Sequence, residues 1–334
     1  MPFAEEFLIA ASREIESKSV APDFEHARGY IIKALEKCME VEPWIKLENI
    51  DIFIHGSYAN KSNIYFPSNL EIVVEITTAR KFSPEEVLLE NNYFVDVPIV
   101  FGPREFRKLL TDALYDFVGD KLSEHPKTLR LSGLEKIKHD VDITPCVNFH
   151  FYQDGGVIRN RGVLLYDTSV ARNIVSFPRL HAQNGFDKDA STAGNFKRMV
   201  RLFKTLHSLN VNEFSFTSSD TASGYFVECL LYNVPDKMFI DSSIRTRQGI
   251  ARKDQEDGTE KSGEVPQRQS LNEIFFKVIN YLLNADMDDF VCQNTVWTLF
   301  GSAAEFWDKP RAEAFLGSVI RLHSIFPPSR TFLA

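Results

Sequence analysis

Apolar residues follow two different periods in the first half of the chain. Some segments repeat them every three or four residues, which is typical of a helix with one apolar face. These predicted helices are residues 4–19, 23–41 and 103–119. Other segments are runs rich in β-branched and aromatic residues, typical of strands. These predicted strands are residues 50–54 and 70–76, with more strands in 128–151 around a turn at Ser132-Gly133. Residues 58–67, which include Asn, Lys and Ser, predict a loop or short helix.

The second half of the chain shows the helical period almost throughout. The predicted helices are residues 195–209, 224–233, 271–284 and 311–323. Residues 251–268 are polar, charged and interrupted by Gly and Pro, which predicts a solvated loop. The pattern therefore divides the chain into a mixed α and β lobe over residues 1–190 and a helical lobe over residues 191–334.

The balance of charged and apolar residues argues against several classes of protein. A formal net charge of −8 over 334 residues argues against a protein that grips duplex DNA, which needs a surplus of Lys and Arg. No stretch approaches the ~20 consecutive apolar residues that span a membrane. Glu5 and Glu6 stand where a secretory signal carries basic residues, so we expect a cytoplasmic protein that needs no membrane. The four cysteines are far apart, which argues against a zinc site or a disulfide framework.

A Gly-Ser pair at the end of a predicted strand is the first candidate for chemistry. Gly56 lets the backbone approach phosphates closely, and the Ser57 hydroxyl can donate to a phosphate oxygen. Residues 69 and 71 of the next predicted strand point to one face and could share a metal site. Glu71 supplies a carboxylate of the kind that holds Mg²⁺. The alternative is an ordinary turn, which explains most Gly-Ser pairs.

An acid inside an apolar run is the second candidate. Asp142 lies between Val141 and Ile143 in a segment that otherwise has the pattern of a buried strand. A buried carboxylate is costly unless it is paired or binds a metal. Asp142 is therefore a candidate metal ligand, and the alternative is an ordinary acid at the end of a strand.

A basic helix face is the third candidate. Lys197, Arg201 and Lys204 are spaced i, i+4 and i+7, so they share one face of the helix predicted over 195–209. Like charges on one face repel each other unless an anion lies among them, and a triphosphate would supply that anion. The alternative is a solvated helix face that is basic by accident.

Five segments, taken together and in their order along the chain, are more specific than any single motif. They are residues 55–64 around Gly56-Ser57, 141–146 around Asp142, 177–185, the basic helix from Asn195, and 225–235. Together they resemble the cGAS/DncV-like nucleotidyltransferases, or CD-NTases, and most of all their clade E. The resemblance implies an α+β fold in which a polymerase-β-like nucleotidyltransferase core is followed by a helical C-terminal lobe.

The resemblance implies a metal-dependent catalytic centre. Gly56 and Ser57 would hold the donor triphosphate, while Glu71 and Asp142 would bind Mg²⁺ or Mn²⁺. The family usually has an acidic pair, D-x-D or E-x-D, and here Asn69 stands in the first position of that pair. Asn69 offers only a neutral oxygen, whereas Mg²⁺ prefers anionic ones. An engineered change, a natural variant with altered ligation and a loss of catalysis all explain Asn69, and the sequence leaves the three open.

The resemblance also implies further contacts to nucleotide. Lys204 would contact the phosphates, and Tyr225 would stack on the donor base. Ser176 lies where this clade varies with base choice, and a serine there resembles the purine-using members. Ser223, which with Gly224 replaces the family's usual Pro-Ser, completes the candidate set.

The implied reaction joins nucleoside triphosphates (NTPs) into a cyclic di- or oligonucleotide. The resemblance also implies a place in a bacterial anti-phage signalling system, in which a separate effector protein binds the cyclic product. The acidic net charge fits a branch of the family that needs no duplex DNA. Two alternatives stay open. One is a transferase that adds a single nucleotide to a protein or RNA end, and the other is a catalytically degenerate nucleotide-binding module, which Asn69 favours.

Overall fold

The computed structural model describes the chain in segments. They are residues 5–14, 20–64, 68–82, 101–153, 157–214, 223–240, 270–300 and 308–325. Two compact units divide the chain. The sheet unit comprises Glu16–Lys61 and Pro67–Gln183, and the helical unit comprises Met1–Ile15, Ser62–Phe66 and Asn184–Ala334.

The described elements are numbered here along the chain. The helices are α1 (Glu5–Ala11), α2 (Ala21–Val41), α3 (Gly56–Ala59), α4 (Pro103–Val118), α5 (Pro178–Ser191), α6 (Asn195–Phe214), α7 (Gly224–Tyr232), α8 (Leu271–Asn284) and α9 (Lys309–Ile325). The strands are β1 (Ile50–His55), β2 (Leu70–Phe82), β3 (Leu122–Glu124), β4 (Leu129–Leu131), β5 (Val141–Gln153), β6 (Val157–Asp167) and β7 (Arg172–Ser176). Short 3₁₀ turns occur at Leu47–Asn49, Gly119–Lys121 and Asp236–Met238.

The seven strands form one sheet whose middle strand is β5. Five strands follow the order β1-β2-β5-β4-β3, while β6 pairs with β5 and with β7. The β2–β5 pair is parallel, and the other pairs are antiparallel. The first residues of β5 therefore lie between β2 and β4, and these residues include Asp142.

The helices of the sheet unit form where the sequence predicts them. The apolar residues of α2 that recur at helical spacing are all buried, and they are Ala27, Ile31, Ala34, Leu35 and Cys38. Helix α4 starts with Pro103, whose missing N–H costs nothing at that position. The Glu105 side chain accepts a hydrogen bond from the Gly102 N–H at 2.9 Å and so caps the same end.

The helical unit has an apolar core built around α6. Phe203 lies at the centre of the core, with its ring 5.4 Å from that of Phe275 and 6.4 Å from that of Phe315. Helices α7, α8 and α9 also contribute fully buried side chains to this core. Removal of this apolar surface from water is the main term that stabilises such a unit.

The predicted elements are largely confirmed, with one clear error at the N-terminus. The helix predicted over 4–19 ends at Ala11, where the Ser12 hydroxyl donates to the Ile9 carbonyl at 3.2 Å and competes with helical pairing. Helix α6 continues to Phe214, five residues beyond its predicted end. The loop predicted over 251–268 lies outside the described residues. The domain boundary at residue 190 stays a prediction. Among the described residues no helix combines the length and apolar character needed to cross a bilayer.

Candidate active site

The Gly-Ser turn packs directly against the predicted metal ligand of the next strand. Strand β1 ends at His55, which pairs with Glu71 of β2, and α3 starts immediately afterwards at Gly56. Gly56 has φ +69°, and a Cβ atom built on it would lie 1.6 Å from Glu71 Oε2. Any larger residue would therefore be strained and would displace the carboxylate. The half-buried Ser57 follows in the same turn.

The two predicted metal ligands are cross-strand neighbours. Glu71 of β2 and Asp142 of β5 are register partners in the parallel pair. Leu70 and Ile72 are fully buried on either side of Glu71, so the glutamate points to the opposite face of the sheet. Asp142 flanks it on that face, because register partners project to the same side. The structure thus brings together the two carboxylates that the sequence singled out.

Asp142 is held by donors from two other residues. Arg130 of β4, its register partner, donates from Nε to Oδ1 at 2.7 Å and from Nη2 to Oδ2 at 2.9 Å. Asn69 donates from Nδ2 to Oδ2 at 2.9 Å. Burial on its own would raise the pKa of the Asp142 carboxyl, but the bonds from Arg130 and Asn69 outweigh burial and lower that pKa below its usual value.

Asn69 lies just before β2 rather than within it. The strand starts at Leu70, so the simple alternation that would align residues 69 and 71 on one strand face does not apply. The Asn69 side chain instead contacts Asp142. Asn69, Glu71 and Asp142 are nevertheless grouped at one edge of the sheet, as the predicted catalytic set requires.

The donor set at this edge fits one divalent ion that arrives with a nucleotide. Glu71 is a carboxylate of the type that Mg²⁺ and Mn²⁺ prefer, and Asp142 adds a second one if it exchanges a hydrogen bond. In the described part of the chain no cluster of three or more His, Cys, Asp or Glu side chains is placed to hold a metal. An ion here would therefore take its remaining ligands from phosphates and water, which is usual for Mg²⁺.

The basic face of α6 is buried, so the interpretation as a solvated face is wrong. The exposed fractions of Lys197, Arg201 and Lys204 are only 4%, 5% and 6%. Lys197 Nζ lies 3.1 Å from the centre of the Phe186 ring, and Arg201 Nε donates to the Ser12 carbonyl at 2.8 Å. Burial lowers the pKa of Arg201. Each cation has its own protein contacts, and a shared phosphate contact stays a prediction.

Lys204 belongs to a buried cluster that sequence spacing did not reveal. Its Nζ donates to Glu228 Oε1 at 2.5 Å and to Ser62 Oγ at 3.0 Å. Ser62 Oγ donates to the same Glu228 oxygen at 2.5 Å. A Cβ atom on Gly224 would lie 3.2 Å from Lys204 Nζ, so this glycine leaves room for the lysine. We call Ser62, Lys204 and Glu228 the lysine cluster.

Tyr225 and Ser223 lie at the start of α7. Tyr225 is 44% exposed as a residue, while its hydroxyl oxygen accepts a hydrogen bond from Asn294 Nδ2 at 3.3 Å. Burial of that end raises the pKa of Tyr225. Ser223 caps the helix, because its Oγ accepts the Phe226 N–H at 3.2 Å. Ser176 ends β7 in the sheet unit, paired with Val163.

Sequence comparison shows which proteins the chain resembles. Residues 183–258 match the cGAS/DncV-like nucleotidyltransferase C-terminal helical domain. A cyclic UMP-AMP synthase from Rhodothermus marinus is 28% identical over 270 residues, which cover 80% of this chain and 82% of the relative. A cyclic nucleotide synthase, CdnE01, from Staphylococcus haemolyticus is 26% identical over 289 residues, or 82% and 85% of the two chains. The chain is therefore similar to cGAS/DncV-like nucleotidyltransferases over about four fifths of its length.

Solved CD-NTase structures share the fold. The CdnE c-UMP-AMP synthase of R. marinus matches with a TM-score of 0.74 and 24% identity, covering 99% of this chain and 100% of that one. The CdnE cyclic dinucleotide synthase of Elizabethkingia meningoseptica matches with a TM-score of 0.69 and 21% identity, covering 96% and 98%. The predicted resemblance, the α+β fold class and the helical C-terminal lobe are confirmed.

The site residues predicted from the sequence are described for each unit separately. The sheet unit holds Gly56, Ser57, Asn69, Glu71 and Asp142 together, with Ser176 on a different strand. The helical unit holds Lys197, Arg201, Lys204, Ser223 and Tyr225.

Sequence reasoning missed two charged residues of the site. Arg130 lies in the alternating run Leu129-Arg130-Leu131, and its spacing placed it on a strand without identifying its partner. Glu228 stands alone in the apolar run of α7, where a lone acid predicts a buried partner. That acid was the one available signal for the lysine cluster.

Proposed function

We propose that the chain is a metal-dependent nucleotidyltransferase that joins NTPs into a cyclic di- or oligonucleotide. The observation that carries the proposal is the Glu71–Asp142 pair, which adjoins the Gly56-Ser57 turn on one face of the sheet. Nucleotidyl transfer requires such an arrangement, because carboxylates must lie where the phosphates of the donor approach the backbone.

The sheet edge positions the donor nucleotide. Gly56 leaves the backbone of the turn open to phosphate oxygens, and Ser57 donates its hydroxyl to one of them. Glu71 and Asp142 would hold the Mg²⁺ or Mn²⁺ that comes with the nucleotide. When bound, the ion neutralises phosphate charge and lowers the pKa of the attacking hydroxyl.

The chemical step is an in-line displacement at phosphorus. A 2′- or 3′-hydroxyl oxygen of the acceptor nucleotide forms a bond to the α-phosphorus of the donor, and the hydroxyl proton passes to solvent water. The bond from that phosphorus to the β-phosphate oxygen breaks, and pyrophosphate leaves. A later step of the same kind closes the ring. The protein's share is positioning and charge compensation, since no covalent enzyme intermediate is needed.

The helical unit would supply the remaining contacts to nucleotide. Tyr225 presents an exposed ring on which a base can stack. Lys204 would reach the phosphates by exchanging its bond to Glu228 for one to a phosphate oxygen. Lys197 and Arg201 would add positive potential from the same helix, and Ser223 would donate from its exposed position. All of these contacts belong to the proposal.

The product would serve as a signal. The relatives include synthases named for UMP-AMP, dipurine and dipyrimidine products. We propose a product of the same general class for this chain, with Ser176 among the residues that select the base. A separate effector protein in an anti-phage system would read the product, and no duplex DNA would be needed for synthesis.

Product analysis tests the proposal. The chain is incubated with all four NTPs and Mg²⁺ or Mn²⁺, the mixture is treated with phosphatase, and resistant products are identified by mass. A cyclic nucleotide from the chain as it stands is the expected result. A nucleotide attached to protein or RNA, with no cyclic product, would refute cyclisation and favour the single-nucleotide transferase.

A catalytically degenerate nucleotide-binding module is the second candidate. Asn69 favours it, because this residue replaces one of the family's acids and donates to Asp142. This candidate predicts that NTP binds, that no product forms, and that Asn69→Asp does not create turnover. Product from the Asn69→Asp variant alone would instead identify a disabled synthase.

A further inference from the structure

Both oxygens of Asp142 are bound by protein donors. Arg130 uses two nitrogens, at 2.7 and 2.9 Å, and Asn69 Nδ2 adds a third bond at 2.9 Å. The pairing is built into the sheet, because Arg130 and Asp142 are register partners of β4 and β5. A bidentate guanidinium–carboxylate pair is one of the stronger hydrogen-bonded geometries in proteins. The protein itself therefore compensates the charge of Asp142.

Glu71 differs from Asp142 although the two are cross-strand partners. Its side chain makes no hydrogen bond or ion pair with another side chain in the part of the chain that the structure describes. It lies against Gly56, which has no side chain of its own to donate. Glu71 as a residue is half-buried, so we take its carboxylate as the group available to a cation from outside the protein.

We propose that Arg130 is the built-in cation of this centre, so that the Glu71–Asp142 pair binds one divalent ion, chiefly through Glu71, rather than two. Enzyme sites that catalyse displacement at phosphorus with two metal ions hold those ions with several carboxylates. Here Glu71, Asp142 and Arg130 together carry a single negative charge. The inference rests on the proposed function only in taking a nucleotide as the companion of the ion. Arg130 is a positioning residue, since it acts through Asp142.

Asn69 acts together with Arg130, because both donate hydrogen bonds to Asp142. An aspartate at position 69 would place a second carboxylate within hydrogen-bond distance of Asp142. Two carboxylates in such contact require a further cation or a shared proton. An asparagine donates a hydrogen bond to the same oxygen and adds no charge. The departure from the acidic pair at residue 69 thus matches the presence of Arg130 and lowers the demand for a second ion.

The test counts bound ions rather than turnover. Mn²⁺ is titrated into the full chain in the presence of a non-hydrolysable ATP analogue, and free Mn²⁺ is measured by electron paramagnetic resonance. Mn²⁺ bound to analogue that is free in solution is measured without protein and subtracted. We expect one Mn²⁺ per chain for the wild type and also for Arg130→Lys, which keeps the positive charge. We expect a two-fold rise, to two per chain, for the Asn69→Asp/Arg130→Gln double variant.

A matched arginine serves as the control. Arg172 is exposed on β7, and Arg172→Gln should leave the count at one. Thermal unfolding verifies that each variant is folded. If the double variant does not fold, the ion counts of the wild type and of Arg130→Lys still test the inference. Two ions or none in the wild type, or one ion in a folded double variant, would overturn the inference. A chain that binds one ion and makes no cyclic product would refute the proposed function and leave the ion count standing.

Discussion

The sheet edge and the lysine cluster each hold a charged side chain that is paired with a side chain of opposite charge, and the sign of the central charge differs between them. At the sheet edge a carboxylate, Asp142, is compensated by a cation, Arg130. In the lysine cluster a cation, Lys204, is compensated by a carboxylate, Glu228. In both regions the charge already has a partner within the protein.

The two regions differ in how far water reaches the pair. Arg130 exposes 28% of its side chain and Asp142 exposes 12%, whereas Lys204 and Glu228 expose 7% and 6%. A pair that water reaches can exchange partners at low cost, but breaking a buried pair leaves a desolvated charge behind. We infer that the sheet edge is ready to receive a ligand, while the lysine cluster chiefly stabilises the helical unit until a phosphate replaces Glu228.

The largest expected effect comes from breaking the buried pair. Lys204→Met and Glu228→Gln should each lower the free energy of unfolding by about 3–5 kcal/mol, because each leaves one charge buried without its counter-ion. Chemical denaturation of the purified variants measures this free energy.

An exposed pair provides the control for that measurement. Lys108 and Asp112 form an ion pair at 2.6 Å on the surface of α4, with 77% and 63% of their side chains exposed. Lys108→Met should cost less than about 1 kcal/mol. If Lys204→Met costs no more than Lys108→Met, the contrast between a buried and an open region is wrong.

The next effect tests the close contact at the sheet edge. Gly56→Ala should lower stability by about 1–2 kcal/mol from its positive φ, with an added cost because the new Cβ displaces Glu71. Gly133→Ala is matched, since φ is +66° there and the nearest atom, Lys121 Cδ, is 3.8 Å from the new Cβ. Only Gly56→Ala should also weaken Mn²⁺ binding in the titration. Equal Mn²⁺ affinity in both variants would show that the turn does not position Glu71.

The smallest effect concerns pH and the apolar surroundings of α6. His207, three residues after Lys204, packs against the Phe315 ring at 5.3 Å, and neither of its ring nitrogens has a hydrogen-bond partner among the described residues. Burial lowers its pKa. The unfolded chain therefore binds a proton at higher pH than the folded chain does, and stability is lost as pH falls below ~6.5.

A phenylalanine at position 207 should remove that loss. Between pH 6.5 and 5.5 the wild type should lose up to about 1 kcal/mol more stability than His207→Phe, as measured by denaturation at each pH. His26 is exposed on α2, so His26→Gln should keep the wild-type slope. A His207→Phe variant with the wild-type slope would mean that the surroundings of α6 are more polar than the contacts indicate.

The sequence predicted local structure well and singled out two acids that the fold brings together. The apolar spacing located α2, α4 and α8, and the acid in an apolar run identified Asp142. These features depend on residues that are near each other in the chain, where period and burial are directly visible. The resemblance to the CD-NTases then supplied the fold that arranges Glu71 beside Asp142.

Charge compensation could not be predicted from spacing. Arg130 finds Asp142 through the β4–β5 register, and Lys204 finds Glu228 and Ser62 through the packing of α6 against other parts of the helical unit. A basic helix face looks the same in sequence whether it is solvated or buried against an acid 24 residues away. Long-range pairing of this kind depends on the folded geometry.

The most direct test of the account measures pyrophosphate release by the wild type and by Glu71→Gln under identical conditions, with all four NTPs and Mn²⁺. Thermal unfolding and nucleotide binding verify that the variant is folded and loaded. We predict release coupled to a cyclic product in the wild type, and a fall of at least about 100-fold in Glu71→Gln, because the accessible carboxylate is lost. Equal release by both proteins would contradict the placement of the catalytic centre at this edge of the sheet.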